Sequence, residues 1–385
     1  MLVSLSVTAS RALIGRVHKY NVGMSADVPR RGEDDGPRAT AVTFRSVVEE
    51  RPGQRLRDLF DLWWPAYRRW FLRDGEQERS SYAGCLRAVR THVPELVPAY
   101  EGLVELVGGG DLEARFLSLW DPPPFLAACS LAAWTRDGNP SLLRSYDYAP
   151  ALCETTLLTT TISTRRTMAM SDCLWGALDG VNEDGLAVAL AFGGRRAVGR
   201  GFAVTLLLRY LLEQCADVSQ ALEAVAAVPV NLSYNIALVD ASGQSALVRV
   251  APDRAPVIEH GGVCAGNRQG ATEWPEHAAL TGTEPREAVL ADALADPAMT
   301  LDRLEQVFLS EPVQRDPAEH TWGTVYTARY DTRERSVRLL WPDDVWTVHM
   351  ATAENGQRLR DTRVLMPPLL QREREIPHTP QVIFA

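Results

Sequence analysis

Between Leu56 and Leu72 the segment LRDLFDLWWPAYRRWFL repeats Leu, Phe, Trp and Tyr at three- and four-residue spacings. That period predicts an amphipathic helix, kinked or divided at Pro65. A second helical pattern through Tyr82, Leu86 and Val89 should stop near Pro94. Beyond it Leu96, Tyr100 and Val104 share one face, with Pro98 in the first turn. The chain up to Trp120 therefore reads as helical. The run Asp121 to Phe125 (DPPPF) cannot be helix or central strand, because three prolines fix φ and remove three donors. After it the pattern turns to short β-rich runs. Cys129 to Thr135 and Ser141 to Tyr148, joined by Asp137-Gly138-Asn139-Pro140, read as a hairpin. Strands follow at Thr155 to Ile162, around Cys173 to Ala177 and at Leu186 to Phe192, the last two separated by a turn at Asn182 to Gly185. Helices are expected at Phe202 to Cys215 and Val218 to Val228. Strands return at Tyr234 to Val239, Ala246 to Val250 and Val263 to Asn267. Helices at Pro285 to Ala295 and Leu301 to Leu309 precede strands at Gly323 to Tyr330, Ser336 to Trp341 and Val345 to Met350. Two batches of strands with helices between them predict an α+β fold of two stacked sheets with helices on their outer faces.

The expected division is a disordered segment over 1–40, a helical leader module over 41–128, the sheet-bearing domain over 129–351 and a surface-packed tail over 352–385. Met24 is a plausible alternative start, and the tail contains Pro367 and Pro368. The leader's aromatic stripe of Trp63, Tyr67, Trp70 and Phe71 is too apolar to leave in water. It either docks on the following domain or packs a helical core of its own.

Composition narrows the chemistry. A chain of 385 residues with 46% apolar side chains has ample material for a core. Forty basic residues against 49 acidic ones give a net charge of −9, the wrong sign for a nucleic-acid partner. Lys19 is the sole lysine, so a lysine Schiff base or P-loop has no residue in the body of the chain. No apolar run reaches the ~18 residues of a membrane span, so no membrane partner is expected. The six cysteines (Cys85, Cys129, Cys153, Cys173, Cys215 and Cys264) are scattered, with no C-x-x-C pair, which fits a reducing, cytoplasmic setting. None of the seven histidines pairs at ligand spacing on a helix, and no G-x-G-x-x-G opens a helix after a strand. No metal and no cofactor is expected.

The most informative residue is Cys129, which stands where the proline-rich run enters the first strand of the hairpin. The second strand carries Arg144 and Asp147. Taken alone, Cys129 is either a small buried hydrophobe or a nucleophile. Arg144 with Asp147 would otherwise be a surface ion pair, and Asn267 a turn residue after a strand. The stretch AACSLAAWTRDGNPSLLRSYDY, Ala127 to Tyr148, resembles the start of the catalytic chain in penicillin acyltransferase-like proteins. These are N-terminal-nucleophile hydrolases related to choloylglycine (bile salt) hydrolases and penicillin V acylases. Similar blocks follow in order: GALDGVNEDGLAVALAFGG (Gly176 to Gly194), LLLRYLLEQCADVSQALEAV (Leu206 to Val225), YNIALVDASGQSALVRVAPD (Tyr234 to Asp253), CAGNRQ (Cys264 to Gln269) and GTVYTARYD (Gly323 to Asp331). The helices around WWPAYRRWF resemble the family's leader.

The resemblance implies an αββα sandwich in which self-cleavage before Cys129 exposes a new N-terminus, with the leader fragment staying bound. It implies that Cys129 is the nucleophile, that Arg144 lowers its pKa and steers substrate, and that Asp147 orients its amine. Asn267 and the backbone N–H of Ala191 would donate to the oxyanion. An α-amine of pKa about 7.7–8.0 beside a thiol of about 8.5 can take its proton, so one residue supplies nucleophile and base. The implied reaction is hydrolysis of a linear amide in a small N-acyl substrate through a thioester. Acyl transfer to an amine, with an amide or acyl-thioester donor, is the first alternative, and an uncleaved binding protein of the same fold the second. Ala128 stands where many members carry Gly, and Ser130 where many carry Thr.

Overall fold

A computed structural model describes residues 40–315 and 323–362. The segment expected to be disordered lies outside the described residues up to position 39, as do Met24, Lys19, His18, His320, His378 and the part of the tail beyond 362, with Pro367 and Pro368.

The strands are β1 (Thr40–Val48), β2 (Ala128–Trp134), β3 (Ser141–Tyr148), β4 (Thr156–Thr161), β5 (Arg166–Asp172), β6 (Gly176–Asn182), β7 (Ala187–Phe192), β8 (Tyr234–Val239), β9 (Ser245–Ala251), β10 (Arg254–His260), β11 (Cys264–Ala265), β12 (Gly323–Asp331), β13 (Ser336–Trp341), β14 (Asp344–His349) and β15 (Gly356–Thr362). The helices are α1 (Gln54–Phe71), α2 (Tyr82–His92), α3 (Val97–Leu106), α4 (Asp111–Leu117), α5 (Val204–Gln214), α6 (Val218–Val225), α7 (Pro275–Thr281), α8 (Thr283–Ala295) and α9 (Leu301–Phe308). One sheet has nine strands in the order β10-β9-β8-β7-β6-β5-β4-β1-β15, the other six in the order β11-β2-β3-β12-β13-β14. They stack face to face through β2 and β3 on β7 and β8, and β12 and β13 on β6. Helix α5 covers β6 and β7 on one outside, and α8 and α9 cover β2 and β3 on the other. The protein is an αββα sandwich of the α+β class. None of its described helices is long and apolar enough to cross a membrane.

The pleat explains the layers. On β2, Cys129, Leu131 and Ala133 point into the core between the sheets. Ala132 and Trp134 point outward and pack with Leu143, Leu290, Leu304 and Phe308 under α8 and α9. Leu56, Phe60, Trp63, Tyr67, Trp70 and Phe71 of α1 belong to the same continuous core as Cys129, so the aromatic stripe docks on the sandwich.

Several expectations need correction. The segment 41–128 is not wholly helical, because Val42, Phe44 and Ser46 alternate as buried positions and place β1 inside the large sheet, parallel to β4. Pro65 does not divide α1: it is exposed and so is Asp61, so the one lost backbone bond falls where water can replace it. Cys173 to Trp175 is a tight turn with φ of 53° at Cys173 and 73° at Leu174, between β6 and β5, a strand that the periodicity does not announce. The strand expected over Val263 to Asn267 shrinks to Cys264–Ala265. Strand β10, exposed along its whole length, and the short α7 carry too little periodicity to be read. The tail from 352 supplies β15, paired antiparallel to β1.

Phe44 carries β1 into the core, edge-on to Trp341 at 4.9 Å and Tyr326 at 6.1 Å between ring centroids. Phe44→Ala should cost about 3–5 kcal/mol in urea unfolding, the range for truncating a fully buried Phe. A cost near zero would mean that β1 is not integral to the sandwich.

Candidate active site

Cys129 is the second residue of β2, opposite Tyr146 in the β2–β3 ladder and fully buried. Two contacts define its setting. Its backbone N–H donates to Asn267 Oδ1 at 3.1 Å, and Arg144 Nη2 donates to its Sγ at 3.2 Å. Arg144, two residues before Tyr146 on the same face of β3, is itself fully buried. Its Nε donates to the Leu190 carbonyl at 2.9 Å and its Nη1 to the Tyr326 hydroxyl at 3.0 Å and to Asp179 Oδ2. Asp179, on β6 of the opposite sheet, also accepts from the hydroxyls of Tyr326 (2.7 Å) and Tyr330. The guanidinium lies over the Tyr146 ring at 4.5 Å. Every part of Arg144 is thus committed, one nitrogen of it to the thiol.

Burial pushes the Cys129 thiol above its ordinary value. Arg144 pulls it down by charge and by hydrogen bond, Asp147 pushes it up and Arg286 pulls it down. The sequence-based expectation of a lowered value has the sign of Arg144's effect right, but desolvation outweighs it.

Asp147 lies opposite Ala128 on the other face of the strand pair from Cys129 Sγ. Its Oδ1 accepts from Thr324 Oγ1 at 2.8 Å, and its Oδ2 lies 2.6 Å from Nη1 of Arg286, a buried residue of α8. The N–H of Cys129 is held by Asn267 and not by Asp147. Asn267 Nδ2 in turn donates one of its two N–H groups to the Phe192 carbonyl at 3.0 Å, which fixes the amide plane. Ala191 is buried opposite Asn235 in the β7–β8 ladder, between the two carbonyls of Leu190 and Phe192 that Arg144 and Asn267 hold. The structure therefore brings Cys129, Arg144, Asn267 and the Ala191 strand together, with Asp147 behind the Ala128–Cys129 bond. Among the described residues, no three or more His, Cys, Asp or Glu are grouped to hold a metal ion.

Asp179, Tyr326, Tyr330, Arg286 and Thr324 escape a reading of the sequence. One signal is available: Asp179 interrupts the otherwise apolar run from Gly176 to Val181, and a fully buried carboxylate requires a partner.

Residues 134–272 match the family described as Acyl-coenzyme A:6-aminopenicillanic acid acyl-transferase. Over those residues the chain is similar to that family. Arg144, Asp147, Asp179, Ala191 and Asn267 fall within the acyltransferase match, which begins after Cys129. No curated protein matches the sequence. Among solved structures, penicillin V acylase from Agrobacterium tumefaciens is similar at 16% identity and a TM-score of 0.41, over 58% of this chain and 86% of that one. A mutant of conjugated bile acid hydrolase from Clostridium perfringens is similar at 13% identity and a TM-score of 0.43, over 62% and 99%. The Caenorhabditis elegans ortholog of N-acylethanolamine-hydrolyzing acid amidase is similar at 14% identity and a TM-score of 0.38, over 57% and 99%.

The position of Asn267 depends on Gly194. At φ +64°, a Cβ there would lie 1.9 Å from the Asn267 carbonyl oxygen. Gly194→Ala should therefore displace the Asn267 loop and cost about 1–3 kcal/mol in chemical denaturation. An unchanged midpoint would show that the loop yields freely.

Proposed function

We propose that the protein is an enzyme that cleaves a linear amide bond in a small N-acyl substrate through a thioester on Cys129. The observation that carries this reading is the pair of contacts on Cys129: Arg144 Nη2 on its sulfur and Asn267 Oδ1 on its backbone nitrogen, both partners lying in the segment similar to the acyl-transferase family.

The first step is self-processing. Cys129 Sγ attacks the Ala128 carbonyl carbon, the C–N bond to Cys129 breaks and a thioester forms, with the proton passing to the departing nitrogen. Water then hydrolyses that thioester, leaving a carboxylate on Ala128 and a free α-amine on Cys129. Asn267 fixes the scissile N–H during attack, and Asp147, paired with Arg286, sits behind the bond. Autocleavage also resolves the raised thiol value, since the new amine can take the thiol proton. In turnover the sulfur attacks the substrate's acyl carbon, the amine leaves with a proton and water releases the acid. Asn267 Nδ2 serves the oxyanion through its other N–H, with the Ala191 N–H as second donor. The leader fragment stays bound, because β1 lies between β4 and β15 and α1 shares the core. The family's description as an acyl-transferase favours a second outcome of the same thioester, capture by an amine in place of water.

Intact mass should show two fragments divided between Ala128 and Cys129, and Cys129→Ala should remain one chain. Active wild-type protein that stays uncut would overturn processing. An inactive, uncut chain would favour a binding protein of the same fold.

Amine release from N-acyl amino acids should rise with pH through an apparent pKa of about 7–8. Asn267→Ala should lower turnover by ~10²–10³. Adding an acceptor amine and following the new amide separates transfer from hydrolysis. Activity that survives Cys129→Ala would defeat the mechanism.

A further inference from the structure

Tyr67 of α1 reaches out of the leader and ends between two carboxyl groups of the sandwich. Its hydroxyl oxygen contacts Glu154 Oε1 at hydrogen-bond range, lies 3.1 Å from Asp172 Oδ1, and accepts the Cys173 N–H at 2.8 Å. Glu154 Oε1 also accepts the Leu174 N–H at 2.8 Å, and its Oε2 accepts from Ser171 Oγ at 2.9 Å. Positive φ at both Cys173 and Leu174 turns two successive N–H groups toward this cluster, a backbone nest that favours negative charge.

The proton count does not close with ionised carboxylates. A phenol carries one proton, while Tyr67 makes two oxygen–oxygen hydrogen bonds to carboxyl groups, so the second bond needs a proton from one of the acids. We propose that Glu154 and Asp172 together hold one proton beyond that of Tyr67, and that this shared proton latches the leader helix to the sandwich. The latch weakens as pH rises and the proton leaves, because two carboxylates then face one phenol. It operates whether or not the chain is cut before Cys129.

Burial and the neighbouring Glu154 charge push Asp172 up to about 7, and burial raises Glu154 as well. The other groups facing the pair are Tyr146 and Tyr148 from β3, Cys153 from the turn before β4, Cys173, and Tyr234 from β8. Arg144 is the cation that acts on Asp172, and it lowers it. The folded value of Asp172 lies above the unfolded one. Its contribution to stability is therefore full below about pH 4, declines as pH rises and is gone above about pH 7.

Thermal unfolding of the full chain tests this. In Asp172→Asn the amide N–H donates to the Tyr67 oxygen at every pH, replacing the proton that can leave. The variant should match wild type near about pH 4 and unfold about 4–8 °C above it near about pH 8. In the infrared, wild type at about pH 6 should show the C=O stretch of a buried protonated carboxyl that fades by about pH 8 and is missing from Asp172→Asn. Tyr67→Phe should lower the melting temperature near about pH 5, where the latch is closed. A variant less stable than wild type at high pH, a difference that does not change with pH, or a Tyr67→Phe curve identical to wild type would each overturn the latch.

Discussion

The buried guanidinium of Arg144 sets the geometry on which the rest of the site depends. It rises from β3 of the six-stranded sheet and is answered by Asp179 from the nine-stranded sheet, so the pair crosses the gap between the layers. Desolvating a charge pair is expensive, and removing one partner from such a pair typically costs about 3–5 kcal/mol because the other charge is left buried alone. Tyr326 and Tyr330 donate to the two oxygens of Asp179, Oδ2 and Oδ1. The Leu190 carbonyl takes the remaining edge of Arg144. With those bonds made, the guanidinium has one direction left, and Cys129 Sγ lies along it. The placement of the thiol is thus inherited from an ion pair whose other half lies on the opposite sheet.

Asn267 is placed in a different way. The strand before it is two residues long, and the loop is held by contacts from several directions. Asn235 Nδ2 donates to the carbonyls of Gly266 and Arg268, both at 2.9 Å, and Glu287 accepts the Gly266 N–H at 2.8 Å. The carbonyls on either side of Asn267 are thereby tied to β8, and the amide is aimed between Phe192 and Cys129. A rigid acceptor on the Cys129 nitrogen and a rigid donor on its sulfur restrict both ends of the residue that the proposed chemistry uses twice.

Much of this is legible in the residues. The hairpin of Cys129 and Arg144, the helices of the leader and the order of the later strands follow from local period and turn chemistry, and the family resemblance places Asn267. What cannot be read depends on pairing across the chain. Asp179 and Arg144 are 35 residues apart, and Asp147 and Arg286 meet only because α8 folds back over β2 and β11 beside β3. Strand β1 hides in a segment that reads as helical because its nine residues gain their meaning from β4 and β15, more than a hundred and three hundred residues away. The turn at Cys173 reads as strand because its positive φ values are imposed by Tyr67 and Glu154, which local composition does not reveal.

The place of β1 also bears on the order in which the molecule can be built. Its neighbours in the large sheet are β4, soon available, and β15, whose residues leave the ribosome some three hundred residues after its own. Until then one edge of β1 is an open row of unpaired amides, a surface that invites pairing with another chain. Closing it requires joining segments some three hundred residues apart, the kind of distant contact that slows folding. Completion of the nine-stranded sheet is thus deferred until nearly the whole described chain has been made, and the burden of keeping nascent copies apart falls on that interval.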